Sequence, residues 1–370
     1  MKIKTITCHD VYNLGASLQA YALAAYLRQL GHETEIIHYK PRYLSGHYGL
    51  WGVSNPKFDK PLIRTAYSLV KFPRRLAKRM GKRKKEFDLF RKKYLPCTRT
   101  RYESFEQLKQ HPPKADVYFA GSDQIWNTVF SNGRDPSFYL QFAPKETVRA
   151  SYAASFATET VLPEYRNQVQ QWLGEMDNIS VRESSGLTIL EDLGIDGGVQ
   201  VMDPVFLLNR EHWEKICQPI ELKRPYLLIY DFDKSPQIEA FVKKISQEKH
   251  LLIYSMLPCS YCNRSFENSG PKTFLSLVKD AEVVVSNSFH ATAFSIIFER
   301  NFWAFPRQEK INTRMRDLTA LMNLGHRYVE TLDLNLTEEI DYREVKEILE
   351  LQTQSSKKFI LDTVRSAEQS

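Results

Sequence analysis

Three short clusters carry the residue types that proton transfer and anion binding require. One is Gly121-Ser-Asp-Gln-Ile-Trp-Asn127, which follows the apolar run Asp116-Val-Tyr-Phe-Ala120. The others are Ser180-Val-Arg-Glu183 and Ser286-Asn-Ser-Phe-His-Ala291. Each sits at the end of an apolar segment of strand length. Strands of a parallel α/β sheet end on one edge, where ligands bind. Ser122-Asp123-Gln124, Arg182-Glu183 and Asn287-Ser288-Phe289-His290 are therefore expected to share one cleft. Arg182 offers a planar fork to a carboxylate or phosphate. His290 exchanges a proton near neutral pH, and Asp123 can accept one from a hydroxyl nucleophile. Taken singly, each has an ordinary structural meaning: Ser122 or Asp123 as a helix cap, Arg182–Glu183 as a surface ion pair, His290 as a hydrogen-bonded turn residue. Their coincidence at equivalent strand ends favours a site.

The elements that must position these residues alternate between β and α. Met1–Thr7 reads as a strand and Leu18–Leu30 as an amphipathic helix. Gly15 lies between them and permits a tight turn, and the helix start offers unpaired N–H groups to an anion. No Gly-Lys-Ser/Thr ending follows, so this is not a P-loop. Further strands are expected at Glu35–Tyr39, Asp116–Ala120, Val148–Ala154, Asn178–Val181 and Val199–Met202, with helices near Glu103–Gln110, Pro163–Leu173 and Glu183–Leu193. The pattern then restarts. Strands at Tyr226–Tyr230, Leu251–Ser255, Ala281–Ser286 and Phe302–Phe305 alternate with helices at Pro236–Gln247, Lys272–Lys279, His290–Phe298 and Thr313–Leu324. The expected class is α/β, with two Rossmann-like domains (1–196 and 197–335) facing across a cleft. A helical tail, 336–370, is expected to pack back on the body, and a basic helical insertion occupies 60–95.

At 370 residues, 42% of them hydrophobic, the chain fits two domains with substantial cores. The net charge of +7 is local. Twelve Lys/Arg between Lys71 and Lys93 face only Glu86 and Asp88, a net +10 that leaves the remainder at −3. Leu69, Phe72, Leu76 and Met80 recur at helical spacing, so this stretch reads as an amphipathic basic helix. It suits an anionic membrane surface, an acidic glycan or simply solvent. Nucleic acid is not expected as a partner, because no reading motif accompanies the charge. The five cysteines are odd in number and scattered, which fits a reducing cytoplasm. Cys259-Ser-Tyr-Cys262 has no second ligand pair and reads as a loop rather than a zinc site. Met1–Thr7 does not resemble a signal peptide, and no stretch reaches the roughly 20 apolar residues of a membrane span. No G-x-G-x-x-G supports a nicotinamide or flavin, and no cofactor or metal is expected.

At these residues the sequence resembles the polysaccharide pyruvyl transferase family. The matching segments are Asn13-Leu-Gly-Ala-Ser-Leu-Gln-Ala-Tyr-Ala-Leu23, Gly121–Asn127, Ser151-Tyr-Ala-Ala-Ser155, Ile179-Ser-Val-Arg-Glu183, Asp203-Pro-Val-Phe-Leu-Leu208 and Ser286-Asn-Ser-Phe-His-Ala-Thr-Ala-Phe-Ser295. The resemblance implies a glycosyltransferase-B-like domain pair. It also implies transfer of pyruvate from phosphoenolpyruvate onto two hydroxyls of one sugar, giving a cyclic ketal. On that basis Arg182 and His290 bind the donor, His290 is a candidate acid, and Asp123 is the base. Asn13, Gln19, Ser122, Gln124, Ser155, Asn287, Ser288 and Arg314 are candidates for lining the cleft. A lipid-linked oligosaccharide acceptor at the inner membrane face would give the 71–93 helix a role. Many family members carry arginine where this chain has Ser288, and Arg314 or Arg316 is a candidate replacement. The alternatives are a nucleotide-sugar glycosyltransferase of the same fold and a non-catalytic glycan-binding relative.

Overall fold

The computed structural model describes residues 1–45, 81–223, 225–308, 312–330 and 339–369. The apolar stripe Leu69, Phe72, Leu76 and Met80 lies outside the described residues.

Two five-stranded sheets, wholly parallel, form the body. The first holds β1 (Lys2–Ile6), β2 (Glu33–Tyr39), β3 (Cys97–Tyr102), β4 (Val117–Ala120) and β5 (Val148–Ser151), in the order β3-β2-β1-β4-β5. A small parallel pair, β6 (Ser180–Val181) and β7 (Val199–Gln200), joins it through bridges from Ala150 to Asn178 and from Ala154 to Val181. The second sheet holds β8 (Tyr226–Tyr230), β9 (Leu252–Ser255), β10 (Arg264–Ser265), β11 (Val283–Ser286) and β12 (Asn301–Ala304), in the order β10-β9-β8-β11-β12. The central strands read as unbroken apolar runs because both faces are covered by helices. In each sheet the strand order reverses at one point, between β1 and β4 and between β8 and β11. At such a switch the loops diverge and leave a crevice beyond the strand ends. Gly121–Asn127 follows β4, and Asn287–Ser288 follows β11, so these two clusters occupy the two switch points.

The helices are α1 (Leu14–Gln29), α2 (Lys82–Tyr94), α3 (Phe105–Gln110), α4 (Arg166–Leu173), α5 (Ser184–Asp192), α6 (Arg210–Ile216), α7 (Pro236–Glu248), α8 (Pro271–Lys279), α9 (Phe289–Ile297), α10 (Thr313–Leu321) and α11 (Tyr342–Glu368). α1 begins four residues earlier than its apolar periodicity suggests, because the Asn13 side chain accepts the Ala16 N–H and caps it. All nine residues of α9 are buried. β3 was not expected, since Cys-Thr-Arg-Thr-Arg-Tyr is polar. It pairs on one side only, and charge on an edge strand blunts further pairing. No helix follows β4, so Ser122 and Asp123 cap none; the next helical turn is a 3-10 segment at Ser131–Arg134.

The described part of the basic stretch spans both halves of the molecule. Phe87 and Phe90 of α2 are buried, edge-on to Tyr12 and Tyr21 of the first half. Arg83 donates to the Glu267 carbonyl of the second half at 3.0 Å. α11 returns to the first sheet, where the Ser356 hydroxyl accepts the Met202 N–H and Phe359 leans on Tyr152. Among the described residues no helix is long and apolar enough to cross a membrane.

His9, just beyond β1, is buried, and its Nδ1–H donates to the Thr7 carbonyl at 3.1 Å. Burial pulls its pKa down to about 4 from an ordinary 6.5. Between those values the unfolded chain takes up a proton that the folded chain refuses, so stability falls as pH falls. The cost approaches about 3 kcal/mol at full effect. Denaturant melts of wild type should therefore weaken more steeply from pH 6.5 to 4 than those of His9→Gln. Parallel profiles would refute the assignment.

Candidate active site

Arg182 leaves the end of β6 and is buried among three carboxylates. Its Nη1 donates to Asp203 Oδ2 at 2.7 Å. Nη2 lies 3.5 Å from Asp123 Oδ1, and Nε lies 3.6 Å from Glu183 Oε2. The guanidinium carbon stands 4.4 Å from the centre of the Phe289 ring, in cation–π range. A charge so buried survives only when paired, and three partners supply that.

Arg314 and His290 enter from the second half. Arg314, on the first turn of α10, places Nη1 3.6 Å from Asp123 Oδ1. Nε2 of His290, on the first turn of α9, is 3.6 Å from Asp203 Oδ2. Asp123 thus lies between two guanidiniums, and Asp203 between a guanidinium and an imidazole.

The charges follow from these contacts. Burial works to raise the pKa of Asp123, but Arg182, then His290 and Arg314, outweigh it and hold the carboxyl below its usual range. The same contest at Asp203 is won by His290 and Arg182, and that carboxyl is held far below its usual range. Burial and the neighbouring Arg182 charge bring Arg314 down to about 10. Both carboxylates are ionised at neutral pH and both guanidiniums are charged. Among the described residues, Nε and Nη2 of Arg182, Nε of Arg314 and Nε2 of His290 make no hydrogen bond, and three of them stand only at ion-pair distance from a carboxylate. Buried guanidinium donors without a hydrogen bond suit an anion.

Local structure explains the placement. Gly121 has a φ of 125°, and a Cβ there would come within 2.2 Å of the Tyr152 carbonyl oxygen, so only glycine fits. The Ser122 N–H donates to Gln19 Oε1 at 3.1 Å, the Ser122 hydroxyl to the Ala153 carbonyl at 2.7 Å, and the Thr7 hydroxyl to the Ser122 carbonyl at 2.8 Å. Asp123 follows with a φ of 75°, its carbonyl accepting the Ser155 N–H at 3.0 Å. Gln19 and Ser122 therefore hold the turn that presents Asp123. Ser155 donates to Glu183 Oε1 at 2.6 Å and fixes the carboxylate behind Arg182.

Asp123, Arg182, His290 and Arg314 come together. Arg316 stays outside the cluster, 3.2 Å from Glu159. Asn13 is an exposed cap, and Asn287 donates to Asp231 at 2.8 Å and to Asp233 at 3.2 Å. Gln124 accepts from Asn127 at 3.4 Å through its side chain. Ser288 is the N-cap residue of α9 but makes no side-chain cap bond. Sequence reasoning missed Asp203, although Asp203-Pro204 follows a strand just as the other clusters do. Gly15 was read as a turn glycine, whereas it sits against the His290 ring. A Cβ at Gly15 would lie 2.0 Å from Nδ1, far inside the 3.4 Å where ordinary contact begins. Among the described residues no group of three or more His, Cys, Asp or Glu is placed to hold a metal ion.

Two outcomes are expected. Gly15→Ala should displace the imidazole, visible as a changed His290 ring resonance in NMR with overall secondary structure retained; an unmoved resonance would contradict the contact. Asp203→Asn removes the closest partner of a buried charge and should cost about 3 kcal/mol of stability by denaturant melting. A loss below about 0.5 kcal/mol, as for a surface pair, would show that Asp203 does not carry Arg182.

The chain is similar in shape to several sugar-nucleotide enzymes. UDP-GlcNAc 2-epimerase from Methanocaldococcus jannaschii, in complex with UDP-GlcNAc and UDP, aligns at 12% identity and a TM-score of 0.48, over 95% of this chain and 93% of that one. UDP-GlcNAc 2-epimerase from Neisseria meningitidis, bound to UDP-GlcNAc, aligns at 8% identity and a TM-score of 0.48, over 99% and 100%. ADP-heptose LPS heptosyltransferase II from E. coli aligns at 10% identity and a TM-score of 0.39, over 96% and 100%. No curated protein sequence matches the chain. The polysaccharide pyruvyl transferase family model matches residues 13–309, a span that runs from the cap of α1 to beyond β12 and takes in Asp123, Arg182, Asp203 and His290. The chain belongs to the polysaccharide pyruvyl transferase family.

Proposed function

We propose that the protein transfers the pyruvate unit of phosphoenolpyruvate onto two hydroxyls of one sugar, forming a cyclic ketal in surface-polysaccharide assembly. The observation that carries the reading is the pair of buried guanidiniums, Arg182 and Arg314, with N–H groups that make no hydrogen bond among the described residues, near the His290 imidazole. A small trianion with a planar carboxylate and a phosphate matches that set of donors.

The chemistry then proceeds in balanced steps. A proton passes from an acid, for which His290 beside Asp203 is the candidate, to the methylene carbon of the donor. The donor's C2 becomes electron-poor, and the first sugar hydroxyl adds to it while its proton passes to Asp123. The C2–O bond to phosphate then breaks, with the electron pair leaving on phosphate. The second hydroxyl bonds to C2 while its proton passes to the departed phosphate, and the products are the ketal and inorganic phosphate. Asp123 is ionised at neutral pH, as a proton acceptor must be, and Asp203 Oδ2 stands 3.6 Å from His290 Nε2.

Phosphate release from phosphoenolpyruvate, measured with galactose-, mannose- and glucosamine-type lipid-linked acceptors, tests this. Release should depend on acceptor and fall at least about 100-fold in both Asp123→Asn and His290→Gln. UDP-sugars should neither replace the donor nor compete with it. No acceptor-dependent release, together with no phosphoenolpyruvate heat in calorimetry, would overturn the reading.

A further inference from the structure

The basic helix α2 sorts its side chains by direction. Arg83 turns inward and donates to the Glu267 and Tyr12 carbonyls, at 3.0 and 3.4 Å. A Cβ on Gly270 would come within 2.7 Å of the Glu86 Cβ, so Glu86 lies against the second half. Asp88 is bonded by Lys84 and, at 3.2 Å, by the Tyr12 hydroxyl. Phe87 and Phe90 are buried. What faces outward is Lys82, Lys85, Leu89, Lys92 and Lys93, with Leu89 53% exposed. Their spacing of i, i+3, i+7, i+10 and i+11 places all five on one side of the helix.

Helix stability does not account for this face. Lys92 and Lys93 suit the negative end of the helix dipole, but Lys82 and Lys85 stand at the positive end, in a first turn that holds no acidic residue. Ion pairing does not account for it either. Among the described residues, the carboxylate paired with a lysine of α2 is Asp88, and its partner is Lys84.

Beside the face, between α2 and the start of α8, lies a cavity of about 640 Å³. Leu89 and the Phe90 and Tyr94 rings, 4.8 Å apart, give it apolar walls. Lys92, Lys93 and Lys272 stand around it against one carboxylate, that of Glu86. The surface is therefore cationic and apolar at once. A nucleic acid or an acidic glycan would use its charge and leave Leu89 in water, and guanidiniums rather than ammoniums grip phosphate in pairs of hydrogen bonds. An anionic bilayer uses both properties. Its phosphates meet the ammonium heads, while leucine and the lysine stems enter the boundary of the acyl chains.

We propose that the outer face of α2, four lysines around Leu89, binds the surface of an anionic phospholipid bilayer. The contact lies outside the charged cluster and does not depend on the pyruvyl-transfer reading.

The test is co-sedimentation of the full chain with vesicles of phosphatidylcholine alone and of phosphatidylcholine mixed with phosphatidylglycerol, at low and at physiological salt. Binding should require phosphatidylglycerol and weaken as salt rises. A lysine near such a surface is worth about fivefold in affinity, so a variant combining Lys85→Gln, Lys92→Gln and Lys93→Gln should bind at least about 30-fold more weakly. Leu89→Asp should lose about 10-fold by itself. Both variants exchange exposed side chains and should keep the wild-type thermal midpoint, which checks folding. No sedimentation with phosphatidylglycerol vesicles at low salt overturns the proposal, as does binding that the folded triple variant retains. Affinity that falls in the triple variant but not in Leu89→Asp marks a face that reads charge alone, as a nucleic acid or an acidic glycan would use, and removes the bilayer.

Discussion

The structure turns on the burial of Arg182. A guanidinium removed from water is tolerable only when countercharges replace the lost solvation, and here three carboxylates do so. Asp203 takes the one close hydrogen bond, while Asp123 and Glu183 stand at 3.5 and 3.6 Å. These partners come from the ends of β7, β4 and β6, so the first sheet and its small extension must be correctly registered before the charge can be buried. The ion cluster therefore reports on the fold as well as shaping the site.

The second half is tied to this centre by contacts that leave little freedom. The His290 ring fills the space that a side chain at position 15 would need. Asp317 on α10 accepts the Ser184 hydroxyl at 3.0 Å and the Ser185 N–H at 3.1 Å, docking α10 on the start of α5. α2 lies across both halves, with Phe87 and Phe90 turned inward. Side chains contributed by α9 and α10 are thereby fixed against carboxylates of the first half. Groups held in place before a reaction need not reorganise during it, which is what an electrostatic site requires.

Much of this was legible in the sequence, for a physical reason. Buried parallel strands appear as apolar runs, so most strands of both sheets and their order of alternation with helices could be read directly. The rule that ligands gather at carboxyl ends of such strands picked out Asp123, Arg182 and His290. What could not be read was which polar residues at those ends face one another. Asn287 and His290 are three residues apart, but one turns to Asp231 and Asp233 and the other to Asp203. Gln19 looks like a cleft residue and is instead wholly buried beneath the Ser122 turn. Asp203 was passed over because an Asp-Pro pair signals a turn, and its carboxylate does cap the next residues through the Val205 N–H. The other oxygen of that same group holds Arg182. Edge strand β3 escaped because its polarity suits solvent on one side and hides the pairing on the other.

Ser288 places no charge two residues before His290, and a cation reaches this region from α10 instead. Arg314 arrives from another helix and sets its guanidinium about 6.0 Å from the Phe289 ring centre, while Arg182 stacks on that ring at 4.4 Å. The two guanidiniums repel, and the pull of Arg182 is one reason why Arg314 falls to about 10. Asp123 relieves only part of that repulsion, since it is shared between them. An anion entering between Arg182, Arg314 and His290 would use guanidinium N–H groups that make no hydrogen bond among the described residues.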